Sequence, residues 1–283
     1  MIEFMGKTIH KPLIASSCIA TESAGNVSRL IEHGIEGIIL KSCADYIRKP
    51  ADRKRCFSFD RTTGYTYASS PFELEILTLD EEVELLRTLR SEYDVLLITS
   101  FTESSIEPQD WISPCQRLQS AGADGIQLDF FYMGNLIGEN CFSARAAELL
   151  RQLQKSLSVP IMPKLNINLP KDFIMPLLKK AGVEYVSLLD SVRSPCIETA
   201  DKKAALNMRL DTQTTSCFGA WQLPLTLSYT FTAAQYGFKV CAGGGVVCAD
   251  DVAKLLTAGA LTVQSATFLT KCPTKGKELL SFQ

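Results

Sequence analysis

Two lysines stand at the ends of short apolar segments of the sequence. Lys41 follows Gly-Ile-Ile-Leu and Lys164 follows Ile-Met-Pro, so each is predicted to emerge where a buried strand ends. A buried lysine is costly unless it meets an anion or a polar ligand. Such a lysine could stabilise developing negative charge, act as a base or form a Schiff base. The alternative is a lysine at the strand rim whose ammonium group simply reaches solvent.

Glycines near the carboxyl end of the chain predict a phosphate site. The run Ala242-Gly243-Gly244-Gly245-Val246 comes shortly before Ala249-Asp250-Asp251, which opens a helical pattern, and a second apolar segment ends in Ala266-Thr267. Glycines let backbone N–H groups approach an anion, and a following helix N-terminus adds a favourable dipole. The alternative interpretation is a tight strand-to-helix turn with no ligand.

The elements that must position these residues alternate along the chain. The predicted helices are Asp80–Glu92, Ser143–Lys155, Lys171–Ala181 and Asp250–Leu256, and several helical patterns end at a glycine. The predicted strands are Pro12–Ser16, Gly37–Ser42, Val95–Phe101, Gly125–Phe130, Ile161–Asn166, Tyr185–Asp190, Lys239–Gly243 and Thr262–Thr267.

These strands are continuously apolar, as parallel strands covered on both faces are. We therefore predict an α/β fold, a single (β/α)8 TIM barrel, over an open doubly wound sheet, because the turn after the first strand has no glycine-rich fingerprint. One domain over residues 1–283 is expected. Long insertions at about 43–79 and 191–223 leave from the carboxyl ends of strands, where barrel loops build active sites.

Composition excludes several classes of protein. A net charge of −2 and a pI near 5.8 make nucleic acid or an anionic membrane a poor partner. The sequence lacks a signal peptide or a membrane-length apolar run, so a cytoplasmic protein is expected. The ten cysteines form no C-x-x-C pair, so no metal is predicted and we expect free thiols. With two histidines, both of structural appearance, a Ser-His-Asp hydrolase is not expected.

Several short motifs, in this order along nearly the whole chain, carry a resemblance to a known family. They are Pro12-Leu-Ile-Ala-Ser-Ser17, Leu40-Lys41-Ser42, the pair Arg48 and Arg55, Pro163-Lys164-Leu165, Gly219 to Pro224, Gly244-Gly245, and Val263-Gln264 with Thr267. Together the motifs resemble the dihydroorotate dehydrogenase family, including the related barrel of dihydropyrimidine dehydrogenase.

That resemblance implies an FMN-binding barrel, a homodimer, and a small planar substrate that stacks on the flavin. Lys41 and Lys164 would place positive charge near the polar edge of the flavin and take part in catalysis. The residues implied to bind FMN are Ala15, Ser16, Ser17, Lys41, Ser42, Lys164, Ser216, Gly219, Gly244, Gly245, Ala266 and Thr267.

The substrate half departs from the family pattern. Asp129 and Asp190 stand where the family has asparagines, and Tyr132 stands near the position of its catalytic base. Tyr132 is therefore a candidate proton donor or acceptor, with an aromatic pocket wall as the alternative and Cys141 as a second candidate. The other residues predicted to bind substrate are Arg55, Tyr65, Tyr67 and Ser191. These changes favour a ligand with cationic or donor groups over dihydroorotate.

Three functions remain open on sequence alone. The first is an FMN-dependent oxidoreductase that transfers hydride between a substrate carbon and flavin N5. The second is a flavin-binding subunit that works with a separate electron-transfer protein, and a non-catalytic binding protein belongs to the same class. The third is a sugar-phosphate lyase or isomerase that uses Lys41 or Lys164 as base or Schiff-base former.

Overall fold

The computed structural model describes residues 1–45, 56–59, 66–69, 76–130, 142–194, 197–198, 203–204 and 215–281. The predictions for Arg48, Arg55, Tyr65, Tyr132 and Cys141 lie outside the described residues. The strands are β1 (Ile2–Phe4), β2 (Lys7–Ile9), β3 (Leu13–Ala15), β4 (Gly37–Ile39), β5 (Cys43–Ala44), β6 (Cys56–Phe59), β7 (Thr66–Ser69), β8 (Leu77–Thr78), β9 (Leu96–Phe101), β10 (Gly125–Asp129), β11 (Ile161–Lys164), β12 (Tyr185–Leu188), β13 (Val192–Ser194), β14 (Ile197–Glu198), β15 (Lys203–Ala204), β16 (Thr215–Phe218), β17 (Lys239–Ala242) and β18 (Thr262–Ser265).

Eight of these strands close into a parallel barrel. The pairing runs β3, β4, β9, β10, β11, β12, β17 and β18, and β18 pairs with β3 again. Every pairing around this ring is parallel. The predicted (β/α)8 TIM barrel is therefore confirmed.

Helices alternate with these strands. They are α1 (Ala24–Glu32), α2 (Leu79–Glu92), α3 (Pro108–Ser120), α4 (Phe142–Ser156), α5 (Lys171–Lys180), α6 (Leu223–Gln235), α7 (Ala249–Thr257) and α8 (Thr267–Lys271), with 3-10 turns at Ile19–Thr21, Ala220–Gln222 and Pro273–Leu280. Local signals set their ends: Thr78 and Glu81 form a capping box at α2. The glycines predicted to stop helices do adopt positive φ at Gly34, Gly122, Gly182 and Gly259.

The barrel interior has an apolar floor at the amino ends of the strands. Inward-facing Ile39, Met162 and Cys241 pack with Phe4 and Met5 of the β1–β2 hairpin, all of them buried. A Cβ at Gly125 would lie 2.3 Å from the Met5 side chain, so this glycine makes room for the plug. Alternate residues of the same strands face the helices and form the main core, as parallel strands covered on both faces require.

The two predicted insertions pair with each other. Strands β6 and β7 from the first and β13 and β16 from the second form one four-stranded antiparallel sheet, in the order β13-β16-β7-β6. Strands β5 and β8 instead extend the barrel sheet beside β9. Both insertions begin just beyond the carboxyl ends of barrel strands, so this small sheet belongs to that end of the barrel.

Several predicted strands are too long at their carboxyl ends. The prediction Gly37–Ser42 becomes Gly37–Ile39, and Tyr185–Asp190 becomes Tyr185–Leu188. The Lys41 N–H donates to Thr21 O of the first βα loop and not to the neighbouring strand. Polar residues at these ends thus leave the ladder and become loop residues, which is how a barrel presents them to a ligand.

None of the helices in the described part of the chain combines the length and the apolarity that a membrane crossing requires.

Candidate functional site

The inward positions of the strands change from apolar to polar towards their carboxyl ends. Above the apolar floor lie buried polar and charged side chains, which are unusual in a packed barrel core. They are Ser16, Ser100, Gln127, Asp129, Lys164, Ser187 and Gln264. Barrel interiors are normally filled by branched apolar residues. A polar layer here therefore costs stability unless its members satisfy one another or bind a ligand.

Lys164 is the centre of an ion cluster. Its ammonium nitrogen lies 2.8 Å from Asp190 Oδ2 and 3.8 Å from Asp129 Oδ2, and its side chain is 9% exposed. Burial alone would lower the pKa of Lys164, but the two carboxylates outweigh it and raise the pKa above the ordinary value. Lys164 is therefore held protonated between the two carboxylates.

Hydroxyl groups connect Asp129 to its neighbours. Ser42 Oγ donates to Asp129 Oδ2 at 2.8 Å and lies 2.9 Å from Ser100 Oγ and 3.2 Å from Ser17 Oγ. A hydroxyl has one proton to give. Because Ser42 gives its proton to the carboxylate, Ser100 and Ser17 donate to Ser42, and Ser100 in turn accepts from Gln127 Nε2 at 2.9 Å. The Asp129 carboxylate thus sets which hydroxyl groups donate and which accept in this series of hydrogen bonds.

The opposite side of the interior has a network without charge. Ser16 Oγ donates to Gln264 Oε1 at 2.8 Å, and Gln264 Nε2 donates to Ser187 Oγ at 2.8 Å and to Leu188 O at 2.9 Å. A Cβ at Gly243 would lie 2.4 Å from the Gln264 side chain. The glutamine therefore fills the space beneath the glycine loop and joins β3, β12 and β18.

The glycine loop after β17 is built for close approach. Gly244 and Gly245 have φ of 97° and 88°, and a Cβ at Gly245 would lie 2.4 Å from Leu223 N. The N–H groups of Gly244, Gly245 and Val246 donate no hydrogen bond to another described residue. Consecutive unpaired N–H groups in such a turn form a concavity that binds anions. The residues present therefore fit a phosphate group.

The helix that follows contributes less to this site than its position suggests. Asp251 Oδ2 accepts hydrogen bonds from Val247 N at 2.9 Å and from Cys248 N at 3.0 Å. One carboxylate thus already lies at the N-terminus of α7, and its negative charge would oppose a phosphate there, while the predicted dipole contribution stays a prediction. Ala266 and Thr267, which were predicted to lie beside the phosphate, stand at the start of α8.

Gln222 joins the glycine loop to the ion cluster. Its Nε2 donates to the backbone oxygens of Leu189 and Asp190, and Thr226 Oγ1, one turn on, donates to Gly244 O at 2.8 Å. Gly219, with φ of 149°, begins the 3-10 turn that carries Gln222. Gly219 thus contributes the backbone at the start of this turn. Ser216 lies in β16 and pairs with Ala68 of β7.

The first loop brings Ser17 and Cys18 to the lysines. Burial raises the pKa of the Cys18 thiol, while a hydrogen bond with Thr270 and the nearby charges of Lys41 and Lys164 partly offset the effect. Both lysines are therefore close to Cys18. The Ala15 methyl group packs in the main core between the strands and the helices. Only the backbone of Ala15 could therefore contact a ligand at the barrel mouth.

The structure thus groups most of the predicted residues at one end of the barrel. The contacts above connect Ser17, Ser42, Asp129, Lys164 and Asp190, and the Ser191 N–H donates to Asp190 Oδ1 at 2.7 Å. Ser16 belongs to the uncharged network on the opposite side, and Lys41 lies near Cys18. For Tyr67 only its place in β7 is described, opposite Cys217.

Four buried amides were missed by the sequence reasoning: Gln127, Asn166, Gln222 and Gln264. Three of them had a usable signal. Gln127 and Asn166 each lie two positions from an acidic or basic candidate, on the same face of a strand, and Gln264 is a polar residue inside an apolar strand. Gln222 offered no such signal, because its partners are backbone oxygens from a distant loop.

Comparison with models of protein families and with curated proteins finds no match for this chain.

Proposed function

We propose that this chain is an FMN-dependent oxidoreductase similar to the dihydroorotate dehydrogenase family. It would transfer hydride between a small planar substrate and flavin N5, with a substrate other than dihydroorotate. The observation that carries the proposal is the arrangement of two features at one barrel mouth. The first is a loop at Gly244–Val246 whose N–H groups donate to no other described residue, and the second is the buried, protonated Lys164.

Each side of the mouth would have its own task. The glycine loop would hold the phosphate of FMN, with Ala266 and Thr267 beside it, and Gln222 would keep this loop in register with Asp190. Lys41 and Lys164 would supply positive charge, which stabilises negative charge that develops on a ligand. When bound, FMN would supply the hydride acceptor or donor.

The ion cluster argues against Lys164 as the reacting lysine of a lyase or isomerase. A Schiff base forms through a neutral amine, so a lysine used in this way needs a lowered pKa. Asp190 and Asp129 raise the pKa of Lys164 instead. Lys164 is therefore suited to act as a fixed positive charge and unsuited to act as a nucleophile or base. This difference favours the redox proposal.

Proton transfer remains assigned to the loop after β10. Tyr132 follows Asp129 closely in the chain and keeps its place as candidate acid or base, while Asp129 itself is fixed between Ser42 and Lys164. The homodimer and the electron-transfer partner likewise stay predictions.

The absorbance spectrum of the purified protein tests the proposal. We expect flavin bands, release of FMN on denaturation, and anaerobic bleaching of these bands by a substrate. A colourless protein that also fails to take up added FMN would contradict it and would return attention to phosphosugars.

A further inference from the structure

Helix α6 presents an outward face without charge. The helix contains no charged residue, whereas every other α-helix in the described part of the chain contains at least one. Its outward side carries Leu225, which is 37% exposed, and Phe231, which is 56% exposed, together with the exposed polar residues Ser228 and Gln235. A helix on the surface of a barrel normally keeps charged residues on that side. An uncharged face with an exposed aromatic ring is typical of a surface that another protein covers.

The neighbouring helix α5 extends this apolar face. Lys171 Nζ donates to Ser228 Oγ at 2.8 Å, so α5 and α6 lie side by side. Phe173, which is 45% exposed, and Pro176 lie on the outward side of α5. Of the six exposed large apolar side chains in the described part of the chain, four lie on these two helices or directly after α6. Single apolar residues scattered over a surface are ordinary, but this concentration is not. We call this surface, on the outward sides of Lys171–Lys180 and Leu223–Gln235, the α5–α6 face.

The charged residues of α5 lie at its two ends and have opposite signs. Asp172 lies in the first turn, and Lys179 and Lys180 lie in the last turn. All three side chains are exposed. The outward side of α5 therefore begins with an acid, continues with Phe173 and Pro176, and ends with bases. Such a helix is complementary to a reversed copy of itself, because each acidic end then meets a basic end.

A two-fold axis can bring the whole face into this reversed arrangement. Helices α5 and α6 run in the same direction, because each returns the chain to the start of a parallel barrel strand. An axis that lies in the plane of the face and crosses both helices would place α5 antiparallel on α5 and α6 antiparallel on α6. The same patch then serves in both copies, as a two-fold interface requires. The acidic start of each α5 meets the basic end of the other, and α6 meets α6 without burying a charge.

We propose that the α5–α6 face binds a second copy of this chain in an antiparallel two-fold dimer. Any protein with an apolar patch could cover the centre of the face. The second copy is favoured over other occupants because the order of charges along α5 matches itself on reversal. The inference rests on the exposed face alone and holds whether or not the chain binds a flavin.

Analytical ultracentrifugation of the purified full chain tests the inference. We expect a particle of twice the mass of one chain at micromolar concentration. Phe231→Glu would place like charges from both copies inside the interface, so the dissociation constant of the dimer should rise at least about a hundredfold. Gln109→Glu adds the same charge at an exposed position of α3, outside the face, and is the matched control. This control should leave the dimer unchanged.

An exchange of charges tests the antiparallel arrangement. Asp172→Lys would place like charges at both ends of the α5 pair and should weaken the dimer about tenfold. The double variant Asp172→Lys with Lys180→Asp makes the charges opposite again, so it should dimerise more tightly than Asp172→Lys alone. Both side chains are exposed, and circular dichroism checks that each variant folds. If a variant fails to fold, the mass of the unaltered protein still decides whether a dimer exists.

Three results would overturn the proposal. They are a protein that is monomeric at every concentration, a dimer that Phe231→Glu leaves intact, and a charge exchange without recovery. A monomer that keeps the face for a different protein gives the first of these results. FMN uptake, followed separately by fluorescence, keeps the two proposals apart: a dimer that takes up no FMN would refute the oxidoreductase and leave the dimer standing.

Discussion

On one side of the barrel mouth, the loops after β17 and β18 offer backbone groups, and the side chains beneath them are the uncharged Ser16, Ser187 and Gln264. On the other side, β10, β11 and the segment after β12 offer the charged side chains of Asp129, Lys164 and Asp190. Both sides are buried and polar, yet one is stabilised by geometry and the other by charge balance.

The two sides of the barrel mouth should therefore respond differently to substitutions. A backbone cradle tolerates changes of nearby side chains but does not tolerate an added Cβ, because space is its limiting property. An ion cluster tolerates small shifts of position but does not tolerate an uncompensated charge. A substitution that changes only volume should therefore affect mainly the glycine loop, and one that changes only charge should affect mainly the ion cluster.

Lys164→Met should have the largest effect on stability. The variant leaves two buried or half-buried carboxylates without their cation, which costs about 3–5 kcal/mol of unfolding free energy at neutral pH. Lys254→Met, which breaks an exposed helical pair with Asp250, is the control and should change stability little. Urea unfolding measures both, and equal small losses would show that the cluster contributes nothing.

The pH dependence of the same pair gives a second check. The pKa of Lys164 is raised in the folded protein, so its stabilisation is complete below the ordinary lysine pKa and is lost as the pH rises through the folded value. In Lys164→Met, protonation of Asp129 or Asp190 would remove negative charge that Lys164 no longer balances. The deficit of the variant should therefore shrink as the pH falls from 7 towards 4, and a constant deficit would contradict this explanation.

Gly245→Ala should come next. The added Cβ would lie 2.4 Å from Leu223 N at a φ of 88°, so we expect a loss of about 2–4 kcal/mol and weaker binding of phosphate ligands.

Gly25→Ala is the control for that variant. Gly25 lies in α1 with no atom within 4 Å of its Cβ position, and alanine there should stabilise the protein by about 0.5 kcal/mol. A neutral Gly245→Ala would mean that the loop is free to move away and is not a fixed cradle.

Local patterns were sufficient for the fold and for part of the site. The apolar runs predicted each barrel strand, and the helix-ending glycines predicted turns that the structure confirms. The residues Lys41, Ser42 and Lys164 could be placed because strand ends of a parallel barrel meet at one rim. Sequence reasoning could not give the pairing of Lys164 with Asp190, because register and side-chain direction across neighbouring strands set that distance.

One further feature depended on tertiary contacts, and another was a local cap that the prediction did not include. The pairing of β7 with β16 joins insertions far apart in the chain, and no local pattern specifies it. Asp251 was predicted to open a helix beside the phosphate site, but its carboxylate caps that helix itself. A short acidic side chain at a helix start satisfies N–H groups of its own turn first.

Glu82 extends the comparison to a buried carboxyl group. It lies in α2, fully buried, and neither of its oxygens accepts a hydrogen bond from another described residue, and burial raises its pKa well above the ordinary value. Stability should therefore fall as the pH rises above the ordinary glutamate pKa, because the unfolded chain then loses a proton that the folded protein keeps.

Glu82→Gln should remove that dependence. We expect a gain on the order of 2 kcal/mol at pH 8 and little change at pH 4, measured by urea unfolding at both values. Glu84→Gln, on the exposed face of the same helix, should change stability little at either pH. A Glu82 variant that is less stable at pH 8 would mean that the carboxylate has a favourable interaction.

The most direct test of the central claim is a titration of flavin-free protein with FMN and with riboflavin, which lacks the phosphate. If the glycine loop binds a phosphate through backbone N–H groups, FMN should bind about a hundredfold more tightly, the effect of two charge-assisted hydrogen bonds at roughly 1.4 kcal/mol each. Equal affinities, or no binding of either flavin, would contradict the account.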